Sequence, residues 1–172
     1  MIKDFTAIEI LKGTSNFQST ILNEIKSLTR SVNFTALSEY SYVNVNDKHI
    51  TISLVHVEDA DTVVAINVFR DRVSLWYSSC EIAFENDETF DILYFTKFYQ
   101  KCLSGEYVTD DFYYKEKLLF SITTLLEEQC IVPSTMFYKL YVFLFKRQIV
   151  KKTVSYQSFI IDYRSLKASS SD

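Results

Sequence analysis

The residues best suited to chemistry in this chain are four carboxylates close together in the sequence, Glu85, Asp87, Glu88 and Asp91. Carboxylates at such short spacing bind divalent cations or transfer protons in nucleases and glycosidases. The same run is typical of the start of a helix, where negative charge interacts favourably with the helix dipole. It is also typical of a surface that contacts a basic partner. We favour a helix start or a partner contact over metal binding or catalysis.

Other polar pairs do not have the spacing of a catalytic or metal site. Asp110 and Asp111 are adjacent in a predicted strand, so their side chains point to opposite faces. His49 and His56 are an odd number of residues apart on another predicted strand, which also separates them. No Gly-x-Ser-x-Gly motif is present. We therefore expect no metal, no cofactor and no enzymatic activity.

The three cysteines, Cys80, Cys102 and Cys130, are widely spaced in apolar segments and lack the Cys-x-x-Cys spacing of zinc sites. We predict that they are buried free thiols in a reducing compartment. The sequence has no run of about 18 apolar residues and no signal-peptide pattern at its start. A cytoplasmic protein without a transmembrane segment is expected.

Charge is divided unevenly along the chain. Residues 58–128 hold 15 of the 22 acidic residues but only six of the 18 basic residues. The C-terminal part is basic, which would suit either nucleic acid or the chain's own acidic segment. Because the whole chain is acidic, with a pI near 5.2, direct nucleic-acid binding is not expected.

The spacing of apolar residues predicts the elements that must position these groups. Helical spacing covers residues 16–30, and alternation or β-branched content predicts strands near residues 40–45, 49–57, 62–69, 72–77 and 80–84. A second helix is predicted from the acidic run at residue 85 to residue 103, followed by a hairpin of residues 107–114 and 117–126. Residues 137–145 fit a helix or a strand, and residues 154–163 are predicted as a last strand.

Short turns between successive strands favour an antiparallel meander, because parallel strands would need long crossovers. The fold class predicted is α+β, mainly an antiparallel sheet with an N-terminal helix and a central helix packed on it. One domain over residues 1–167 and a disordered tail over residues 168–172 are expected.

Residues 63–120 resemble the small immunity proteins of bacterial polymorphic and contact-dependent toxin systems. The resemblance lies in the hairpin VFRDRVSLWY at residues 68–77, in EIAF at 81–84, in LSGEYV at 103–108 and in FYYKEKLL at 112–119. Such proteins often have Gly-Lys in the last turn, where this chain has Glu116-Lys117. The resemblance implies a cytosolic protein that binds and neutralises one cognate toxin and performs no catalysis.

The acidic residues and the aromatic residues among them together predict a surface for a basic toxin domain. Each aromatic side chain could also belong to the core. The residues expected at the partner surface are Glu58, Asp59, Asp61, Trp76, Glu85, Asp87, Glu88, Asp91, Asp110, Asp111, Tyr113 and Tyr114. The alternatives are a structural or adaptor domain that associates with itself, as a homo-oligomer, and a carboxylate-dependent metal enzyme. A membrane is not expected as a partner.

Overall fold

The computed structural model describes residues 14–46 and 49–160. Within these ranges the chain forms three α-helices and nine strands in two antiparallel sheets, so the predicted α+β class is confirmed. No helix in the described ranges is long and apolar enough to cross a bilayer. The predicted tail at residues 168–172 and the end of the predicted last strand lie outside the described residues.

The N-terminal helix, α1 (Asn16–Thr29), begins where the sequence predicts it. Ser15 and Gln18 form a reciprocal cap: the Ser15 hydroxyl accepts from the Gln18 amide, and the Gln18 side chain accepts from the Ser15 amide. Ile21, Leu22 and Ile25 recur at helical spacing and are fully buried. Helix α1 therefore packs by one apolar face.

The first sheet consists of β1 (Tyr42–Val45), β2 (Ile50–Val55), β3 (Val63–Val68), β4 (Arg72–Tyr77) and β5 (Cys80–Glu85), in chain order. Alternation gives each strand one apolar face, and Ile52, Ile66 and Leu75 stand side by side in the buried row. The opposite face carries small and polar residues, the valine pair Val55 and Val63, and the exposed Trp76.

The central helix, α2 (Ile92–Leu103), starts later than predicted. Strand β5 continues through Glu85, and Asp87 forms the following turn, where its carboxylate accepts from the amide and hydroxyl of Thr89. The cap is Asp91, whose carboxylate accepts from the amides of Leu93 and Tyr94. The expectation that the whole acidic run opens the helix is therefore wrong, because only its last member lies at the helix start.

The second sheet contains β6 (Val108–Tyr114), β7 (Lys117–Leu125), β8 (Glu128–Pro133) and β9 (Ile149–Ser155) in the order β8-β7-β6-β9. Residues 137–145, which fit either a helix or a strand in the sequence, contain helix α3 (Tyr138–Phe145). This helix connects β8 to β9. The strand predicted over residues 154–163 is misplaced, because residues 156–159 are outside any strand. Strand β8 was not predicted.

A chain of hydroxyl groups joins the two sheets. The Tyr156 hydroxyl donates to Thr109 Oγ1 of β6 at 2.8 Å and lies 2.7 Å from Ser78 Oγ, in the turn between β4 and β5. Thr109 Oγ1 in turn lies 2.8 Å from Thr123 Oγ1 of β7. The chain satisfies buried polar groups at the junction, where unpaired hydroxyls would be destabilising.

A disulfide between Cys80 of β5 and Cys130 of β8 also joins the sheets, with the two Cα atoms 6.0 Å apart. The expectation of three free thiols is therefore wrong for this pair. Chain spacing could not reveal it, because packing of the second sheet brings together residues 50 positions apart. Cys102 is a free buried thiol as expected, and burial raises its pKa well above the ordinary value.

Three buried tyrosines, Tyr77, Tyr99 and Tyr107, belong to the hydrophobic core that also contains residues of α2. Burial raises the pKa of Tyr77 to about 12. Burial also raises the pKa values of Tyr99 and Tyr107, by more than it raises that of Tyr77. The Tyr77 ring meets the Phe98 and Tyr107 rings edge to face. Among the described residues, the hydroxyls of Tyr99 and Tyr107 have no hydrogen-bond partner.

Removal of the buried hydroxyl at position 99 is expected to stabilise the protein. Tyr99→Phe should raise the free energy of unfolding by about 1 kcal/mol, because an unpaired hydroxyl no longer has to be desolvated. Tyr156→Phe is the matched control and should lower it by about 1–2 kcal/mol, because that hydroxyl is bonded to Thr109 and lies within hydrogen-bond distance of Ser78. Urea denaturation measures the free energy of unfolding of both variants. Equal losses of stability would contradict the conclusion that the Tyr99 hydroxyl is unpaired and the Tyr156 hydroxyl is hydrogen-bonded.

Candidate partner-binding site

A cleft lies where β5 ends and α2 begins, and it has a volume of about 330 Å³. Three of the carboxylates predicted at the partner surface, Glu85, Asp87 and Asp91, border it. The residues that line the cleft are Ile82, Ala83, Phe84, Glu85, Asp87, Thr89, Phe90, Asp91 and Tyr94. The strand end, the turn and the helix start thus place an acidic rim beside an apolar floor.

Local hydrogen bonds fix two of the rim carboxylates. The Asp87 carboxylate accepts from Thr89 Oγ1 at 2.6 Å and from the Thr89 amide at 2.8 Å, which lowers the pKa of Asp87. Asp91 is held by the helix amides that it caps. Both carboxylates are therefore held in fixed positions by charge-assisted hydrogen bonds.

The third rim carboxylate, Glu85, is exposed at the end of β5. Its partner in the strand register is Arg72, whose guanidinium lies over the Phe69 ring, 4.7 Å from the ring centroid. Glu85 is thus the rim carboxylate that no local turn or cap restrains.

The floor of the cleft is aromatic and packed from below. The Phe84 ring lies 6.2 Å from the Tyr94 ring and 5.5 Å from the buried Phe95 ring. The Phe90 ring meets Phe17 of α1 edge to face at 4.9 Å. Desolvation, followed by the hydrogen bond that the Tyr94 hydroxyl donates to Glu128, raises the pKa of Tyr94. The floor is therefore a neutral, ordered surface.

The predicted residues Glu58, Asp59 and Asp61 lie away from the cleft. They form the loop between β2 and β3, which meets the first sheet at the end where Tyr77 finishes β4. Glu85 pairs with Arg72 at the other end of β4, about 17 Å away at the rise of a strand. The Asp59 carboxylate accepts from the Asp61 amide and the Thr62 hydroxyl, so it shapes its own loop.

Asp110 and Asp111 belong to the second sheet and are engaged there. Asp110 pairs with Lys151 at 2.7 Å and accepts from Thr153 Oγ1, and these bonds lower the pKa of Asp110. Asp111 accepts from Ser121 Oγ at 2.6 Å on the opposite face. As predicted, the two carboxylates do not form one clamp.

The remaining predicted residues are also dispersed. Tyr113 lies under the Lys152 ammonium, and Tyr114 stacks on Phe145 of α3. Trp76 is exposed on the face of the first sheet that points away from its buried row, opposite Glu81. Glu88 is exposed in the turn before α2 and does not line the cleft. The twelve predicted residues thus do not form one surface.

The apolar floor was not predicted as part of a site. Phe84 lies in the strand predicted near residues 80–84, and Phe90 and Tyr94 lie in the helix predicted from residue 85 to residue 103. All three are partly buried and line the cleft. The signal that could have found two of them is that Phe84 is adjacent to Glu85 and Phe90 is adjacent to Asp91 in the sequence.

Neither a metal site nor a known relative explains the carboxylates. Within residues 14–46 and 49–160, no three His, Cys, Asp or Glu side chains are grouped so that they could hold a metal ion. Comparison of the chain with models of protein families, with curated proteins and with solved structures finds no match.

Proposed function

We propose that the protein is a non-catalytic inhibitor of the immunity-protein type that binds a basic protein domain through the cleft between β5 and α2. The observation that supports this most is the pairing of the acidic rim of Glu85, Asp87 and Asp91 with an aromatic floor. Charge and apolar surface on one small site are typical of a protein-binding anchor.

The acidic rim and aromatic floor of the cleft suit one arginine side chain of the partner. A guanidinium forms paired hydrogen bonds with carboxylates, and its aliphatic stem packs on aromatic rings. Rim carboxylates held by Thr89 and by the α2 amides lose little freedom when such a cation arrives. The more distant carboxylates of the 58–61 loop would add long-range attraction and so speed association.

The test is co-expression with the product of the adjacent gene, followed by purification of the complex. We expect the protein to bind that product and to relieve its toxicity. The double variant Glu85→Gln/Asp87→Asn should weaken binding by about tenfold or more and reduce its salt dependence. Asn retains the oxygen that accepts from Thr89, so the turn should persist.

The matched control is Glu81→Gln, which removes an exposed carboxylate from the same strand outside the cleft. It should leave the affinity within about twofold of the original value. An adjacent product that neither binds nor is detoxified would refute the proposed function. Equal losses for Glu81→Gln and the double variant would refute the cleft as its site.

A further inference from the structure

Helix α3 carries an apolar surface that faces solvent. None of its residues is buried, and Phe143 is 82% exposed. The apolar face, as we call it, comprises Met136, Phe137, Leu140, Phe143 and Leu144. Soluble monomers rarely expose so many large apolar side chains together, so such a surface indicates a binding partner.

The other side of α3 is attached to the second sheet by aromatic contacts. The Phe145 ring stacks on Tyr114 of β6 at 4.4 Å, and the Tyr138 ring lies 5.3 Å from Phe120 of β7. A cavity of about 510 Å³ beside the helix is lined by Tyr114, Tyr141 and Phe145, and also by Phe137, Leu140 and Leu144 of the apolar face. The helix is therefore anchored through Tyr138 and Phe145. Phe143 and Met136 of the apolar face are almost fully exposed, and its other members border the cavity.

Basic residues lie near the apolar face, on α3 itself, directly after it and on the adjacent hairpin. Residues 129–160 include five lysines and arginines and no aspartate or glutamate. From the adjacent β6–β7 hairpin, the ammonium groups of Lys115 and Lys117 lie over the Tyr114 and Tyr141 rings. The basic collar, as we define it, comprises Lys115, Lys117, Lys139, Lys146 and Arg147, all exposed, with Glu116 as a nearby carboxylate.

We propose that the apolar face and the basic collar dock on the surface of an anionic lipid bilayer. The apolar side chains would enter the boundary between headgroups and acyl chains, and the collar would meet the anionic headgroups. A symmetric pair of copies is disfavoured, because two basic collars would approach each other. The proposal is independent of the cleft and departs from the expectation that no membrane is a partner.

The experiment is flotation of the purified chain with two kinds of vesicle, pure phosphatidylcholine and phosphatidylcholine mixed with phosphatidylglycerol. We expect binding to the phosphatidylglycerol vesicles alone, with a loss at high salt. Phe143→Glu should weaken binding about tenfold or more, and each collar cation removed, as in Lys146→Gln, should weaken it about fivefold.

Matched controls come from α2, where Leu93 is 76% exposed and Lys97 is exposed. Leu93→Glu and Lys97→Gln should leave flotation unchanged. No binding to either vesicle would overturn the proposal, as would binding that Phe143→Glu does not weaken. A dimer in light scattering that Phe143→Glu converts to a monomer would assign the apolar face to a second copy and also overturn it.

Fluorescence locates the contact independently of affinity. Trp76 is the chain's one tryptophan, so Trp76→Phe/Phe143→Trp places the fluorophore on the apolar face alone. Its emission should shift to shorter wavelength with the phosphatidylglycerol vesicles, because the ring enters an apolar environment. Trp76→Phe/Leu93→Trp should show no shift; the opposite pattern would place the membrane contact elsewhere and overturn the proposal.

Discussion

Replacement of Cys130 with serine is expected to lower the free energy of unfolding by about 4 kcal/mol. The disulfide with Cys80 closes a loop of 50 residues, and opening it restores conformational freedom to the unfolded chain. Urea denaturation of the oxidised protein and of Cys130→Ser gives the difference. A loss of this size is a large share of the stability of a domain of this length.

The control is the oxidised protein treated with a reductant, which should approach the midpoint of Cys130→Ser. Titration of thiols after unfolding should detect one thiol per chain, that of Cys102, and three after reduction. Three thiols without reductant, with no change in stability for Cys130→Ser, would contradict a disulfide in the folded protein.

Gly105→Ala is expected to lower the free energy of unfolding by about 3 kcal/mol or more. Gly105 ends α2 with φ +68°, a conformation that costs an L-residue about 1–2 kcal/mol. A Cβ atom at this position would also lie 2.7 Å from the carbonyl oxygens of Tyr156 and Gln157. Because these neighbours are backbone atoms, the contact is relieved only by moving the chain.

Gly105→Asn separates the two causes, because asparagine tolerates positive φ but still carries a Cβ. If the contact with residues 156 and 157 dominates, the asparagine variant should lose almost as much stability as the alanine variant. Thermal and urea unfolding of both variants measure this. A near-neutral Gly105→Asn would show that the close approach is unimportant.

Strands that bury one face could be predicted from the sequence, and exposed edge strands of the second sheet could not. Strands β1 to β7 were predicted from alternating apolar residues or from β-branched and apolar content. Strands β8 and β9 lie at the edges of the second sheet, and β9 has Lys151 and Lys152 at its centre. Edge strands with charged, exposed side chains carry little hydrophobic periodicity, so β8 was missed and β9 was misplaced.

The candidate site was predicted in part. Glu85, Asp87 and Asp91 were singled out from their spacing, and the structure places them around one cleft. The sequence also assigned the carboxylates of the 58–61 loop and of β6 to this site, although the structure places them elsewhere. Positions in the sequence do not show how far apart two loops lie once the sheets have folded. The disulfide was missed for the same reason, since it depends on how two sheets pack.

The order of the strands has a consequence for synthesis on the ribosome. Each strand of the first sheet pairs with a chain neighbour, so this sheet can form once residue 85 has emerged. Cys102 is then synthesised before Cys130, the residue that forms the disulfide with Cys80. In the folded protein Cys102 lies on the buried face of α2. Early packing of α2 would therefore hide the wrong thiol and leave Cys80 for the later one.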